Sequence, residues 1–323
     1  MSVREFIDHH FLHYNSRELR RAAEAWRDHL DAGGQMLVSL AGAMSTARVG
    51  RILSRAIDEG LVHGISCTGA NLEEDAFALL AGDEYEEIPD WRALRAEDDQ
   101  ALYDRGMNRV TDSCIPETVM RHIEGGLLEA WGEAARTDSS AMPSEHLLAV
   151  ISRSDVKKHW QRAEDSWLLA AGRNDVPVFT PGWEDSTTGN MFAAAVWRGE
   201  LPHHRAVTPG TEQMTRLMRW YLNNARQDGK PSVGFFQVGG GIAGDFAICA
   251  VPTMVQDLHM KDVPFWGYFA QVSDAVTSYG GYSGAPPNEK ITWGKLGVET
   301  PKFMIESDAT IVFPLILAWL LDD

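Results

Sequence analysis

The sequence predicts a single α/β domain over residues 1–323, built on a parallel sheet with helices on both faces and carrying a helical insertion. Three observations lead there. Short apolar runs alternate with amphipathic helical segments over residues 16–82. The same alternation resumes after residue 176. The polar, helical stretch between them shows no composition shift, repeat or low-complexity linker, which favours an insertion over a separate module.

The elements follow in order. Residues 16–31 (SRELRRAAEAWRDHLD) space their apolar positions as a helix does, with Ser16 placed to cap it. GGQMLVSLAGA reads as a turn and a buried strand, and STARVGRILSRAIDEG as a helix ended by Gly60. LVHGISCTG reads as a second strand and NLEEDAFALLAG as its helix. Residues 83–108 read as an excursion off the sheet, and residues 117–172 as helices broken near Pro143. Strands return at VPVFTPG (176–182), PSVGFFQVGGG (231–241), PFWGYFAQ (264–271) and KFMIE (302–306).

Composition narrows the function. The chain has 29 basic and 46 acidic residues, a formal net charge of −17. Such a surface repels nucleic-acid phosphates and anionic membranes and favours cationic ligands such as polyamines; the plainer reading is solubility. Cys67, Cys114 and Cys249 lie far apart, which points to a reducing cytoplasm and not to a disulfide framework or a zinc site. The histidine pairs His9–His10 and His203–His204 point apart if they lie in strands or loops, so no metal is expected. The N-terminus lacks the apolar core of a signal peptide, and the apolar run 309–321 is too short to span a bilayer. A cytoplasmic protein without nucleic-acid or membrane partners is the expectation.

Three motifs carry candidate chemistry. VGGGIAG (238–244) places Gly239, Gly240, Gly241 and Gly244 after a strand, where glycine lets backbone N–H groups approach a phosphate. Pro252 follows soon after, so the next helix must be short or bent. CTGANLEED (67–75) sets Thr68 and Gly69 at a strand end, where open α/β sheets place their ligands. Its Glu73, Glu74 and Asp75 also suit a helix N-terminus for purely electrostatic reasons. NEKITWGKLG (288–297) puts Lys295 two residues after Trp293. A lysine partly desolvated against an indole loses its proton more readily and can attack an imine or carbonyl carbon; a surface lysine beside a core tryptophan is the commoner arrangement.

Together, in this order and spacing, these segments resemble the deoxyhypusine synthase family, especially its bacterial deoxyhypusine synthase-like branch. TWGKLG is similar to the family's active-site tryptophan-glycine-lysine segment, and ESDATIVFPLILA (306–318) to the family's strand after it. TGANLEED, GMNRVTDSCIPE (106–117), VPVFTPGWEDSTTGNM (176–191) and VGGGIAGDF (238–246) also have counterparts, so the resemblance runs from about residue 8 to 321. It implies a Rossmann-like fold, bound NAD, and transfer of an aminobutyl group from spermidine through an imine on the enzyme's lysine. The acceptor is a translation-factor lysine in some members and putrescine in others, which yields homospermidine.

Carried over by position, the resemblance implies Lys295 as the covalent lysine, Trp293 as the tryptophan beside the substrate, and Glu289 and Glu74 as acidic site residues. Thr68, Gly69, Asp185, Gly239, Gly240, Gly241, Ser283 and Asp308 fall at cofactor positions. The chain also departs from the family. Asp245 stands where the family has a histidine that handles a proton, and Cys249 where it has an asparagine. Asn190 and Tyr282 stand where it has aspartates that grip amines, and each lost carboxylate removes a charge-assisted bond to an ammonium. A small-amine transferase is therefore the leading expectation. A protein-modifying deoxyhypusine synthase, a non-catalytic NAD-binding paralogue and a plain amine oxidoreductase are the alternatives. A homotetramer with active sites at a dimer interface is implied by the resemblance alone.

Overall fold

The computed structural model describes residues 1–225, 229–277 and 282–322, the side chain of Tyr282 excepted. Its strands are β1 (Met36–Leu40), β2 (Gly64–Cys67), β3 (Glu86–Glu87), β4 (Met107–Val110), β5 (Ser113–Pro116), β6 (Val178–Phe179), β7 (Gly234–Val238), β8 (Tyr268–Ser273) and β9 (Lys302–Glu306). Six of them form one sheet in the order β6-β2-β1-β7-β8-β9, and every pairing in it is parallel. Counted along the chain within that sheet, the order is 3-2-1-4-5-6, that of a doubly wound dinucleotide-binding fold. The direction of winding reverses between β1 and β7. That reversal opens a crevice at the carboxyl ends of these two strands.

Burial on both faces explains the composition of the strands. All residues of β1, β7 and β8 are buried, as expected when helices cover a parallel sheet on each side. Phe235 and Phe236 alternate across β7. Phe236 packs with Trp26 of helix Tyr14–Asp31 and Phe313 of helix Ala309–Leu321. Phe235 packs on the other face with Trp266 and Phe269, in the cluster that includes helices Gly210–Ala225 and Gly241–Ile248.

Several sequence expectations change here. The first long helix begins at Tyr14, so Ser16 is not its cap; the Ser16 hydroxyl instead donates to the His13 carbonyl at 2.6 Å, inside the first turn. His9 and His10 lie in helix Val3–His10, not in a strand or loop, with ring centroids 4.7 Å apart. The segment 306–318 is not a strand: β9 ends at Glu306, Asp308 caps the helix Ala309–Leu321, and the apolar residues of that helix pack against the sheet. No helix among the described residues is long and apolar enough to cross a membrane. The insertion is not purely helical. Residues 86–116 carry a small antiparallel sheet, β3-β5-β4, in addition to helix Ala96–Asp104. Helices Glu117–Arg136, Pro143–Ile151 and Trp167–Arg173 follow.

The acidic run after β2 serves this packing. Glu73 accepts from the Thr187 and Thr188 N–H groups at 2.9 and 2.7 Å, at the start of helix Thr187–Trp197. Asp75 accepts from the Ser166 hydroxyl at 2.6 Å and from the Trp167 and Leu168 N–H groups at 3.2 Å, at the start of helix Trp167–Arg173. Both carboxylates thus complement the dipoles of other helices, not of their own. Burial pushes the Asp75 carboxyl up to about 6 from 3.8, against the hydrogen bonds that favour its charge. A raised folded-state pKa means that the native state binds the extra proton. The associated stability is present below pH 3.8 and is lost as pH rises through about 6. The expected size is on the order of 3 kcal/mol. Denaturant unfolding of the wild type and Asp75→Asn between pH 4 and 7.5 checks this: wild-type stability should fall relative to the variant as pH rises. A constant difference would contradict it.

Candidate functional site

The carboxyl edge of the sheet gathers the predicted cofactor residues into one row. Loop 41–42 follows β1 at the reversal. Asn71 pins it, donating from Nδ2 to the Gly42 carbonyl at 2.9 Å and accepting at Oδ1 from the Ser45 N–H at 2.9 Å. Thr68 caps helix Gly69–Ala81 and donates to the same Gly42 carbonyl at 2.7 Å. On the other side of the loop, Gly239 follows β7 and lies against Ala41. Thr68–Gly69 and Gly239–Gly241 therefore flank one crevice.

The glycine loop is braced from beneath. Buried Gln271 of β8 donates to the Gly239 and Ser283 carbonyls at 2.9 and 2.8 Å. The Ser283 hydroxyl accepts the Gly241 N–H at 3.2 Å. A Cβ at Gly240 would overlap the Ser283 side chain. Gly241 has φ +65° and open space where a Cβ would stand. It opens helix Gly241–Ile248, so a backbone turn and a helix N-terminus meet at the crevice. The helix is interrupted in line with the Pro252 expectation: it breaks at Cys249, resumes over Ala250–Pro252 and widens into a π turn over Thr253–Asp257.

The remaining cofactor candidates lie at the ends of the row. Asp185 is exposed in the loop after β6, and Asp308 is exposed after β9. Five strand steps of ~4.8 Å separate these edges by roughly 24 Å. Asp308 accepts from the Thr310 N–H and hydroxyl, both at 2.7 Å, as the cap of its own helix. Gly69 has a packing role, because a Cβ there would sit 2.6 Å from Ser186 Cβ.

A second feature adjoins the glycine loop. A cavity of about 440 Å³ is lined by Asp245 and Cys249 from helix Gly241–Ile248 and its end, by Gln256 and Asp257 from the π turn, and by Glu289, Lys290, Trp293 and Lys295. Ala285 lines it too, two residues after Ser283, so the loop and the cavity share a wall. Lys295 is fixed by its backbone. Gly294 turns the chain at φ +67°, the Lys295 N–H donates to the Lys290 carbonyl at 3.1 Å, and the Trp266 N–H donates to the Lys295 carbonyl at 3.3 Å. The next residue, Leu296, is fully buried. The half-buried ammonium of Lys295 lies 6.0 Å from the centroid of the Trp293 ring, which is itself 60% exposed.

Electrostatics couples the groups in this cavity. Burial pushes the Cys249 thiol up; the charge of Lys295 and a hydrogen bond from it oppose that, and Asp245 adds to it. Lys290, only 8% exposed, is pushed down by burial and by Lys295, while Asp245 and Glu289 pull it up. The cavity thus unites Lys295, Trp293, Glu289 and Asp245. It does not include Glu74, whose carboxylate accepts from the Thr46 N–H at 3.1 Å and from the Thr46 hydroxyl behind the β1 loop. Burial raises the Glu74 carboxyl, opposed by Thr46. Asn190 is exposed on helix Thr187–Trp197, away from the cavity lining. The side chain of Tyr282 lies outside the described residues. Asn71, Gln271 and Lys290 were not singled out by sequence. Only burial and partners distinguish them, and no local motif marks them.

Comparison with known proteins identifies the family. The model of the family described as deoxyhypusine synthase matches residues 8–320. A "probable deoxyhypusine synthase 2" of Methanosarcina mazei is 26% identical over 307 residues, covering 94% of this chain and 81% of that protein. A deoxyhypusine synthase-like protein of Nostoc punctiforme is 29% identical over 332 residues, covering all of this chain and 80% of its own length. In fold, the chain is similar to the crystal structure of a candidate deoxyhypusine synthase from Entamoeba histolytica. The TM-score is 0.60 at 12% identity, over 99% of this chain and 93% of that one.

Proposed function

The chain belongs to the deoxyhypusine synthase family, and on that premise we propose that it transfers an aminobutyl group from a polyamine to a small amine acceptor, with NAD as cofactor and Lys295 as the covalent carrier. Members of the family are NAD-dependent aminobutyltransferases. The observation that carries the reading is the shared wall between the braced glycine loop and the cavity holding Lys295, Trp293, Glu289 and Asp245.

The residues present suit the cofactor. The open Gly241 backbone at a helix N-terminus and the sheet reversal at β1 and β7 are the features a dinucleotide phosphate requires. Gly239, Gly240, Gly241 and Ser283 would hold the phosphates, with Thr68, Gly69, Asp185 and Asp308 as further cofactor candidates. Bound NAD would take a hydride from the donor amine and return it after transfer. The Lys295 amine attacks the oxidised carbon. Trp293 offers a face to the substrate's cationic chain. Glu289 and Asp257, exposed at the mouth, pair with ammonium groups, and Asp245 lines the same cavity as the attacking amine. Glu74 belongs to the proposal as an acidic residue near the cofactor crevice, and Asn190 and Tyr282 as substrate contacts, in a homotetramer with active sites at the dimer interface. Val255, Leu258, Trp293 and Val298 are exposed apolar residues on or beside the cavity's segments, which supports a covered mouth. A cytoplasmic location is part of the same reading, supported by three cysteines that form no disulfide.

Incubation with NAD and spermidine, with and without putrescine, followed by amine chromatography, tests the reading. Release of diaminopropane and formation of homospermidine are expected. Diaminopropane release without a new polyamine would overturn the small-amine acceptor, and no amine turnover with NAD bound would overturn the transferase.

Gly240→Ala separates cofactor binding from transfer. The new methyl displaces Ser283 and breaks its bond to Gly241 without opening the core. NAD affinity should fall by about 10-fold, roughly 1.4 kcal/mol, seen as a smaller rise in melting temperature at fixed NAD. An unchanged rise would remove the glycine loop from the cofactor site.

A further inference from the structure

Lys290 is a buried amine for which the transfer reaction, as described so far, has no use. It lines the same cavity as Lys295. Its ammonium lies 4.8 Å from the centroid of the Phe269 ring, and only 8% of the residue is exposed. The Lys295 N–H bonds to the Lys290 carbonyl at 3.1 Å, which closes the short helix Glu289–Thr292 and the Gly294 turn into one clasp. Two lysines in one partly closed cavity cannot both carry their charge cheaply. Lys295, Asp245 and Glu289 are the charged groups that act on Lys290, with Cys249 and Asp257 in the same lining.

We propose that Lys290 is the proton carrier of this cavity, taking the proton released when the substrate's imine passes to Lys295 and handing it to the departing amine. This rests on the aminobutyl-transfer reading and deepens it. The step balances. The substrate's imine carries a proton on nitrogen; the Lys295 nitrogen bonds to its carbon, and the C=N electron pair moves onto the substrate nitrogen, leaving it neutral. The nitrogen of Lys295 is now positively charged and gives a proton to the lone pair of Lys290. Lys290 then protonates the substrate nitrogen, and the bond from carbon to that nitrogen breaks. The departing amine leaves, the imine now joins carbon to Lys295, and Lys290 is neutral again. No oxidant or reductant is consumed in the step. Burial and the neighbouring Lys295 charge push the Lys290 ammonium down, so it gives up its proton more readily than an exposed lysine.

Two measurements test this. The first uses the wild-type protein without substrate. Trace reductive methylation with formaldehyde and a borane is followed peptide by peptide across pH. Lys290 should reach half its maximal reactivity at a lower pH than the exposed Lys157 and Lys158. Titration together with those two would overturn the proposal, whether or not the protein turns over any amine. The second measures single-turnover formation of the Lys295 adduct in Lys290→Met and Lys290→Arg. Arginine keeps the charge but does not give up its proton. Both variants should slow adduct formation by about 10²-fold and flatten its pH profile. A near-normal rate in Lys290→Arg would overturn proton transfer and leave a fixed positive charge as the role. If the wild type forms no adduct at all, the transfer reading fails, and the methylation result still reports on Lys290 separately.

Discussion

Lys295→Ala is expected to abolish aminobutyl transfer while NAD binding and melting temperature stay close to wild type. Lys295 is held by its own backbone bonds, between Gly294 and buried Leu296, so its side chain is not needed to shape the turn. Truncation leaves the cavity lining otherwise intact and removes the only step that stores the transferred group on the protein. A loss of roughly 10³-fold or more is the scale for removing a covalent nucleophile. The loss should fall on the transfer step. Donor oxidation, followed as NADH absorbance in a single turnover, should fall much less. Product formation at a near-normal rate would mean that the acceptor attacks a free imine directly.

Trp26→Ala is the corresponding prediction for the fold. The Trp26 ring is fully buried, packs tilted against Phe236 of β7 with centroids 5.0 Å apart, and donates from Nε1 to the Leu61 carbonyl at 3.3 Å. Tyr268 of β8 packs beside it and donates to the Ala22 carbonyl at 2.9 Å on the same helix. This one side chain therefore fastens the N-terminal helix to the two strands that carry the glycine loop and its Gln271 brace. The lost burial and the cavity left behind should cost about 3–5 kcal/mol, measured as a drop in the denaturant midpoint. A change below 1 kcal/mol would mean that the helix is held by other contacts.

Much of this architecture is written locally in the chain. The buried strands read as apolar runs because helices cover them on both faces, and KFMIE coincides with β9. Pro252 announces the short helix after the glycine loop, and the structure adds the π turn that follows it. The β4–β5 hairpin was not legible: its two-residue turn is Thr111–Asp112, with the β-branched Thr111 at φ +58°, not the Asn-Gly type that marks such turns. The strand reading of 306–318 comes from the resemblance alone, and periodicity offers no correction, because an almost wholly apolar helix has no polar stripe to reveal its period. Ser307 and the Asp308 cap separate it from β9, and Asp308 also matches a cofactor position.

The site divides in the same way. Lys295, Trp293, Glu289 and Asp245 come from two segments more than 40 residues apart, and the sheet brings them to one cavity. Glu74 is a site candidate through the family resemblance alone, and which of three adjacent carboxylates faces which helix depends on packing. Glu73 and Asp75 each cap a distant helix, and Glu74 turns toward Thr46. Lys290 could not be picked from sequence, since a lysine one turn before Trp-Gly-Lys looks like any surface lysine until its burial against Phe269 is seen.

The most direct measurement is borohydride trapping. Wild-type protein is mixed with NAD and spermidine, quenched with borohydride during turnover, digested and sequenced by mass spectrometry. The proposed mechanism requires an aminobutyl addition on the peptide containing Lys295, dependent on both NAD and spermidine and absent from Lys295→Ala. Turnover without any adduct on Lys295, or an adduct that survives Lys295→Ala on another lysine, would contradict Lys295 as the carrier.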